Sequence, residues 1–136
     1  MSDRTQKVVG AALLAGVLGW VVEAVWTGAP RFSLVFGDRK IPFLPVYAVG
    51  GGLVAILAPA LAPFPLLLRL GGYAGIMAVV EQVAWKLSHA TAGKATWGYS
   101  NGEGTDVPHA SAWGLMSVAF AAGVKDAVSF PTRMSA

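Results

Sequence analysis

Apolar residues in this chain fall into four runs, over residues 8–26, 43–61, 66–87 and 110–128, and polar residues collect between them. Each run is close to the 20 or so residues that a helix needs to cross a bilayer. No stretch shows the alternation of a membrane β-strand, so helices are the only reasonable crossing elements. The pattern predicts an all-α fold: a four-helix transmembrane bundle in one domain, residues 1–136, with the longer polar loop between helices 3 and 4. Pro59, Pro63 and Pro65 separate the second and third runs. Proline lacks an N–H and clashes with the preceding turn, so this segment predicts a tight hairpin. The other two connections, 27–42 and 88–109, are longer. A loop as long as the second, in so small a protein, is more often functional than a linker.

Four crossings put both long loops on one side of the membrane and the termini and proline hairpin on the other. Glu23, Trp26, Arg31, Tyr47, Glu81, Trp85, His89, Trp97, Tyr99, His109 and Trp113 then share one face. The chemistry of the chain is polarised toward that face.

Composition supports the membrane reading. The chain is 55% hydrophobic and 12% charged, with a mean hydropathy of +0.60. Soluble domains carry about 25% charged residues. The net charge of +3 would suggest nucleic acid in a soluble protein. Here the bases sit at run ends and in loops, where they anchor a chain at the interface, and no nucleic-acid partner is expected. Lys and Arg divide five against five between the two sides, so the positive-inside rule leaves orientation open. The chain has no cysteine, which excludes disulfides and thiolate metal sites. Arg4 and Lys7 before the first run, with Thr27-Gly28-Ala29 after it, have some character of a secretory signal. Glu23 and Trp26 interrupt the approach to that site, and the run is long for a signal, so a retained helix is expected.

Glu23 and Glu81 are the main chemical candidates. Each lies near the end of an apolar run, in segments that should point the same way. A carboxylate at membrane depth is costly and is a functional hypothesis by default. One reading makes both interfacial groups that reach headgroup water. The other puts them in a shared pocket with Arg31, with Lys86 or His89 as a further cation, able to bind a polar headgroup, an ion or a proton. Glu23, Glu81 and His89 are the candidates for acid–base catalysis. His89 and His109, with Glu81 and Asp106, lack the tight spacing of a metal set, so neither metal nor cofactor is expected. Ser88 beside His89 lacks a nucleophile-elbow motif. The tryptophans suit an interfacial belt. Trp97 and Tyr99 lie inside the polar loop, and they are expected to fold back onto the helix ends and cap the site. Gly71 and Gly75 form a small-x-x-x-small pair, and Ala12, Gly16 and Gly19 form another, both expected chiefly as internal packing faces.

Several short motifs also occur in a telling order. They are Gly19-Trp20-Val21-Val22-Glu23, Pro42-Phe43-Leu44-Pro45-Val46-Tyr47, Glu81, His89, Trp97-Gly98-Tyr99-Ser100 and Trp113-Gly114-Leu115. Over about residues 19–120 the chain resembles the CmpB-like family of ABC-transporter permease proteins, small polytopic membrane proteins of bacteria. The resemblance implies a bacterial inner-membrane location. It implies binding roles for Glu23, Tyr47, Glu81, Trp97, Tyr99, Ser100 and Trp113, beside Arg31 and His89. Gly98 stands where the family pattern has an aspartate. The chain holds no nucleotide-binding motif, so any ATPase would be a separate partner. The leading expectation is a permease-like or substrate-binding component in the lipid bilayer, as a homo-oligomer or within a larger membrane complex. The alternatives are an enzyme acting on a lipid or isoprenoid headgroup and a non-catalytic accessory subunit.

Overall fold

The computed structural model describes residues 1–27, 33–36, 39–42, 44–93 and 97–128. It contains four helices: α1 (Asp3–Thr27), α2 (Leu44–Leu61), α3 (Leu66–Ala92) and α4 (Val107–Val128). Three of them are long and apolar enough to span a membrane, over Asp3–Trp26, Leu66–Thr91 and Val107–Val124. The apolar part of α2, Pro45–Leu61, is shorter. The fold is the expected all-α four-helix arrangement; α1, α3 and α4 run beyond the apolar stretches 8–26, 66–87 and 110–128, whereas α2 nearly coincides with 43–61. Polar end turns, such as Asp3–Lys7 with its 2.8 Å ion pair, extend these three helices beyond their apolar stretches.

The first loop also contains a short antiparallel ribbon, β1 (Ser33–Phe36) paired with β2 (Arg39–Pro42). Its register runs from Ser33 opposite Pro42 to Phe36 opposite Arg39. Strands of four residues are too short for a period of two to stand out, so the sequence pattern predicts only a loop there. β1 lies against α3.

The proline hairpin forms as expected, but α2 runs through Pro59 and ends at Leu61. A proline in the last turn removes one helical bond with little helix left to disturb. Pro65 then precedes α3. At the other end of α3, Gly93 adopts a left-handed conformation (φ 69°) and donates its N–H to the His89 carbonyl. That is the usual way a helix closes its last turn on glycine.

Packing divides the bundle into two layers. At the end bearing the two long loops, Val46, Tyr47, Met77, Trp97 and Trp113 form an aromatic cluster, with Trp20, Trp85 and Tyr99 against it. Toward the other end, Val54, Tyr73 and Ala121 form a smaller cluster. The pairing of Gly19 with Tyr47 and of Ala12 with Gly52 sets α1 and α2 antiparallel. α1 packs on α2, and α3 on both α2 and α4, whereas α1 barely meets α4. Exposed Leu13, Leu14, Val17, Val21, Val79 and Val83 give the helices an apolar outer surface, as lipid requires and water does not.

Close approach falls on particular glycines. A Cβ at Gly114 would lie 2.8 Å from the Ala74 Cβ and 2.9 Å from the Leu70 carbonyl oxygen. Gly71 and Gly75 have open space where a Cβ would point, so this pair is no internal packing face. Spacing identifies a stripe of small residues but not the direction in which it faces. Gly114→Ala should therefore destabilise the bundle by about 1–3 kcal/mol, because backbone atoms must move. Gly71→Ala should leave it unchanged or slightly more stable. Thermal unfolding of the two variants in the same detergent measures the contrast.

Candidate functional site

Glu81 and Glu23 both lie at the loop end of the bundle. Glu81 is 2% exposed. Thr105 and Trp113 turn their donors toward its carboxylate, and the charges of Glu23 and Asp106 reach it. Even so, Glu81 Oε2 and Thr105 Oγ1 are each buried without a hydrogen bond of ordinary geometry among the described residues. Buried polar atoms are nearly always partnered, so two unpartnered atoms in one place mark a site where another group fits.

Glu23 is half-buried. The Tyr47 hydroxyl donates to Glu23 Oε2 at 2.8 Å. Tyr47 is itself 3% exposed, and its ring packs on Trp113 with centroids 4.7 Å apart and planes tilted by 40°. Gly19, one turn before Glu23, makes room for this ring, since a Cβ there would lie 2.5–2.8 Å from Tyr47 carbons. Two carboxylates from α1 and α3 thus flank a tyrosine from α2 and a tryptophan from α4.

The second loop caps this end. Trp97, 7% exposed, donates its indole N–H to the Gly104 carbonyl at 3.0 Å. Its own carbonyl accepts from the Trp85 indole at 2.7 Å. Gln82 works from both ends of its amide: Oε1 accepts the Gly104 N–H at 3.1 Å, and Nε2 donates to Glu103 Oε2. A turn closed by Tyr99 N–H to the Glu103 carbonyl at 3.1 Å holds Gly102 at φ 75°, where glycine is favoured. Tyr99 packs on His109, centroids 4.1 Å apart. Burial pushes the Tyr99 phenol up from its ordinary range, and the charges of Glu81, Glu23 and Asp106 push it the same way.

Asp106 caps α4. Its Oδ1 accepts the His109 backbone N–H at 2.9 Å and pairs with His109 Nδ1 at 2.6 Å. Burial pushes the Asp106 carboxyl up, but the backbone bond, the ring bond and the charge of His109 outweigh it, and the net shift is downward.

The expected site residues divide three ways. Glu23, Tyr47, Glu81, Trp97, Tyr99 and Trp113 come together. His89 does not join them: it lies two turns beyond Glu81 on α3, exposed, edge-on to Trp85 at 5.5 Å. Ser100 is exposed in the loop turn. Arg31 lies outside the described residues. Ser88 is buried, with its hydroxyl donated to the Trp85 carbonyl at 3.0 Å. Among the described residues, no three His, Cys, Asp or Glu side chains gather as metal ligands would.

Sequence reasoning passed over Thr105 and Gln82 and gave Asp106 no capping role. Asp106 ahead of Val107-Pro108 is a readable helix start. Gln82 beside Glu81, inside an apolar run, was also legible as out of place. Thr105 carries no signal of its own.

Because α1 and α4 stay apart, a groove of about 490 Å³ opens between them, with Glu23, Trp26, His109 and Trp113 at its loop end. It shares Val22, Trp113 and Met116 with an apolar groove of about 320 Å³ that runs deeper past Leu18 and Phe120. Glu81 adjoins Trp113 but lines neither groove.

These features define a helical bundle with candidate membrane-spanning helices and a carboxylate pair at one end. No protein-family profile, curated protein or solved structure matches this chain.

Trp97→Ala should free the cap, since it removes a large buried ring and its indole N–H bond to the Gly104 carbonyl, at a cost of about 3–5 kcal/mol. Amide exchange should rise across residues 97–105, while Ser100→Ala should leave it unchanged. A second outcome concerns pH. The lowered Asp106 pKa means that its cap is intact above the ordinary carboxylate value of 3.8 and is lost as pH falls through the lower folded value. Protection of the His109 amide should therefore persist at the ordinary carboxylate value of 3.8 and fade only below it, and Asp106→Asn should flatten that dependence.

Proposed function

We propose that this chain is an integral membrane, permease-like binding component, whose ligand is held at the loop end by Glu23, Tyr47, Glu81 and Trp113. One observation carries the reading: Glu81 is buried in a helix fit to span a membrane, and its Oε2 has no hydrogen-bond partner among the described residues. A purely structural carboxylate would be expected to have its oxygens satisfied. The resemblance to CmpB-like permease proteins, carried by the motifs around Glu23, Tyr47, Glu81 and Trp97, supports the same reading. A single four-helix chain is thin for a complete transport path, so the working unit is a homo-oligomer or a larger membrane complex in the bacterial inner membrane. Energy from nucleotide hydrolysis would come from a separate ATPase. Both loops lie on one side of the bilayer and both termini on the other.

A second reading, an enzyme acting on a lipid or isoprenoid headgroup, draws on the groove. Glu23 and His109 face one lateral groove with apolar walls, which suits a headgroup beside a general base. Turnover of lipid by the purified chain, lost in Glu23→Gln, would favour it over the first.

The test exploits the usual conflict between function and stability. Glu81→Gln should fold and melt at the same temperature as the wild type or higher, because an expensive buried group is gone. The small molecule that co-purifies with the wild type, read by mass spectrometry, should be missing. A bundle that fails to assemble with glutamine at position 81 would make Glu81 a structural keystone and contradict the proposal.

A further inference from the structure

We infer that the hairpin end of the bundle binds the phosphate of an anionic phospholipid, held by the Arg69 guanidinium at the start of α3. This site lies at the opposite end from the carboxylates and shares with the reading above only the membrane setting.

Three observations combine. The first is a buried cation without a partner. Arg69 is the fourth residue of the spanning segment Leu66–Thr91, and its Nε is buried with no hydrogen bond among the described residues. A buried carboxyl can take up a proton and become neutral, whereas a guanidinium keeps its charge. Low-dielectric surroundings therefore have to supply it with an anion. The charge lies on the bundle side of α3: it reaches the phenol of Tyr73, one turn further on, which is 2% exposed. Among the described residues the acid at this end, Asp3, holds Lys7 at 2.8 Å. Glu81 is twelve residues along the same helix, roughly 18 Å away at 1.5 Å per residue.

The second observation is the apolar collar around that charge. Phe64, Leu66 and Leu68 are exposed, and Leu67 is 81% exposed. Side chains of this kind at the mouth of the hairpin belong among acyl chains rather than in water. An anion that reaches Arg69 past them is best carried by an amphipath, with its tails on the leucines and its charge on the arginine. The third observation is the charge balance of the two ends. By position in the chain, five bases and two acids, Asp3 and Asp126, fall on the hairpin side, and five of each fall on the loop side. The whole net charge of +3 thus sits where Arg69 is, and it attracts anionic headgroups. Phosphate suits the guanidinium in particular, because the planar fork matches two phosphate oxygens. The first turn of α3 adds to this without making the site by itself. Pro65 gives it no side-chain cap, and the amides of Leu66, Leu67 and Leu68 precede the first helical acceptor, an arrangement that favours phosphate nearby.

The experiment uses the full chain in detergent, with native mass spectrometry to count the lipids retained on it. Phosphatidylglycerol should be retained at least about fivefold better than phosphatidylcholine, whose choline cancels its phosphate charge. Arg69→Gln should bring the two lipids to within about twofold of one another, and it should still fold, because a costly buried charge is gone. Arg69→Lys keeps the charge without the fork and should lower the preference about two- to threefold, which keeps the test decisive if glutamine at position 69 unfolds the bundle. Arg4→Gln, at an exposed base on the same side, should leave the preference nearly intact. Equal retention of the two lipids by the wild type would overturn the inference. Equal losses in Arg4→Gln and Arg69→Gln would also overturn it, by reducing the site to diffuse attraction. Retention of phosphatidylglycerol only in Asp126→Asn would show Arg69 already answered within the chain, with the same consequence. Glycerol 3-phosphate in lipid-free detergent should not raise the melting temperature. An Arg69-dependent rise would keep the phosphate and overturn the lipid as its source.

Discussion

The burial of the Glu81 carboxylate is the constraint on which the loop end of this bundle depends. A charge-bearing group 2% exposed inside an apolar protein is costly unless its surroundings answer it. The surroundings here answer it in part. Thr105 and Trp113 turn toward it, and Tyr47 brings Glu23 to the same place. The loop from Trp97 to Asp106 then closes the end, through Trp97, Gln82 and the Asp106–His109 cap. What remains unanswered, one carboxylate oxygen and one hydroxyl, is the part that a stable bundle would be better without.

The rest of the fold is arranged so that this end can be polar while the other stays plain. The far layer, built on Val54, Tyr73 and Ala121 with Leu61, Ile76, Val118 and Phe120 against them, is mostly small and aliphatic around two rings. The loop-end layer is aromatic, and Tyr and Trp bring polar atoms into a packed interior without giving up apolar area. Gly19 admits the Tyr47 ring, and Gly114 brings α4 close to the backbone of α3. In a bilayer, where lipid competes on equal terms for apolar surface, contacts of this kind supply much of what holds helices together. The looseness between α1 and α4 is the exception, and it falls where Glu23 meets the surface.

Much of this was legible in the sequence, and for identifiable reasons. The four apolar runs are long and carry few polar residues, so the helices and their count follow from length and hydropathy. Their order alone puts Glu23, Tyr47, Glu81 and Trp113 at one end. The prolines at 59, 63 and 65 mark the hairpin, although periodicity does not show that α2 tolerates Pro59 in its last turn. Three things were not legible. The facing of Gly71 and Gly75 depends on helix rotation, which composition does not fix. The departure of His89 from the site follows from α3 continuing to Ala92, which carries the ring two turns past Glu81 to an exposed position. The role of Thr105 depends on the path of a glycine-rich loop. A single threonine among Gly102, Gly104 and Asp106 carries no pattern that separates a partner of Glu81 from a solvated turn residue.

Solid-state NMR of the chain in lipid bilayers, with glutamate, tyrosine, threonine and tryptophan labelled, tests the shared carboxylate site most directly. The account predicts through-space correlations from the Glu81 carboxyl carbon to the Trp113 indole and Thr105 side chain. It also predicts correlations from the Glu23 carboxyl carbon to the Tyr47 ring in the same sample. Strong correlations from the Glu81 carboxyl carbon to lipid acyl protons, with none to Trp113 or Thr105, would contradict it.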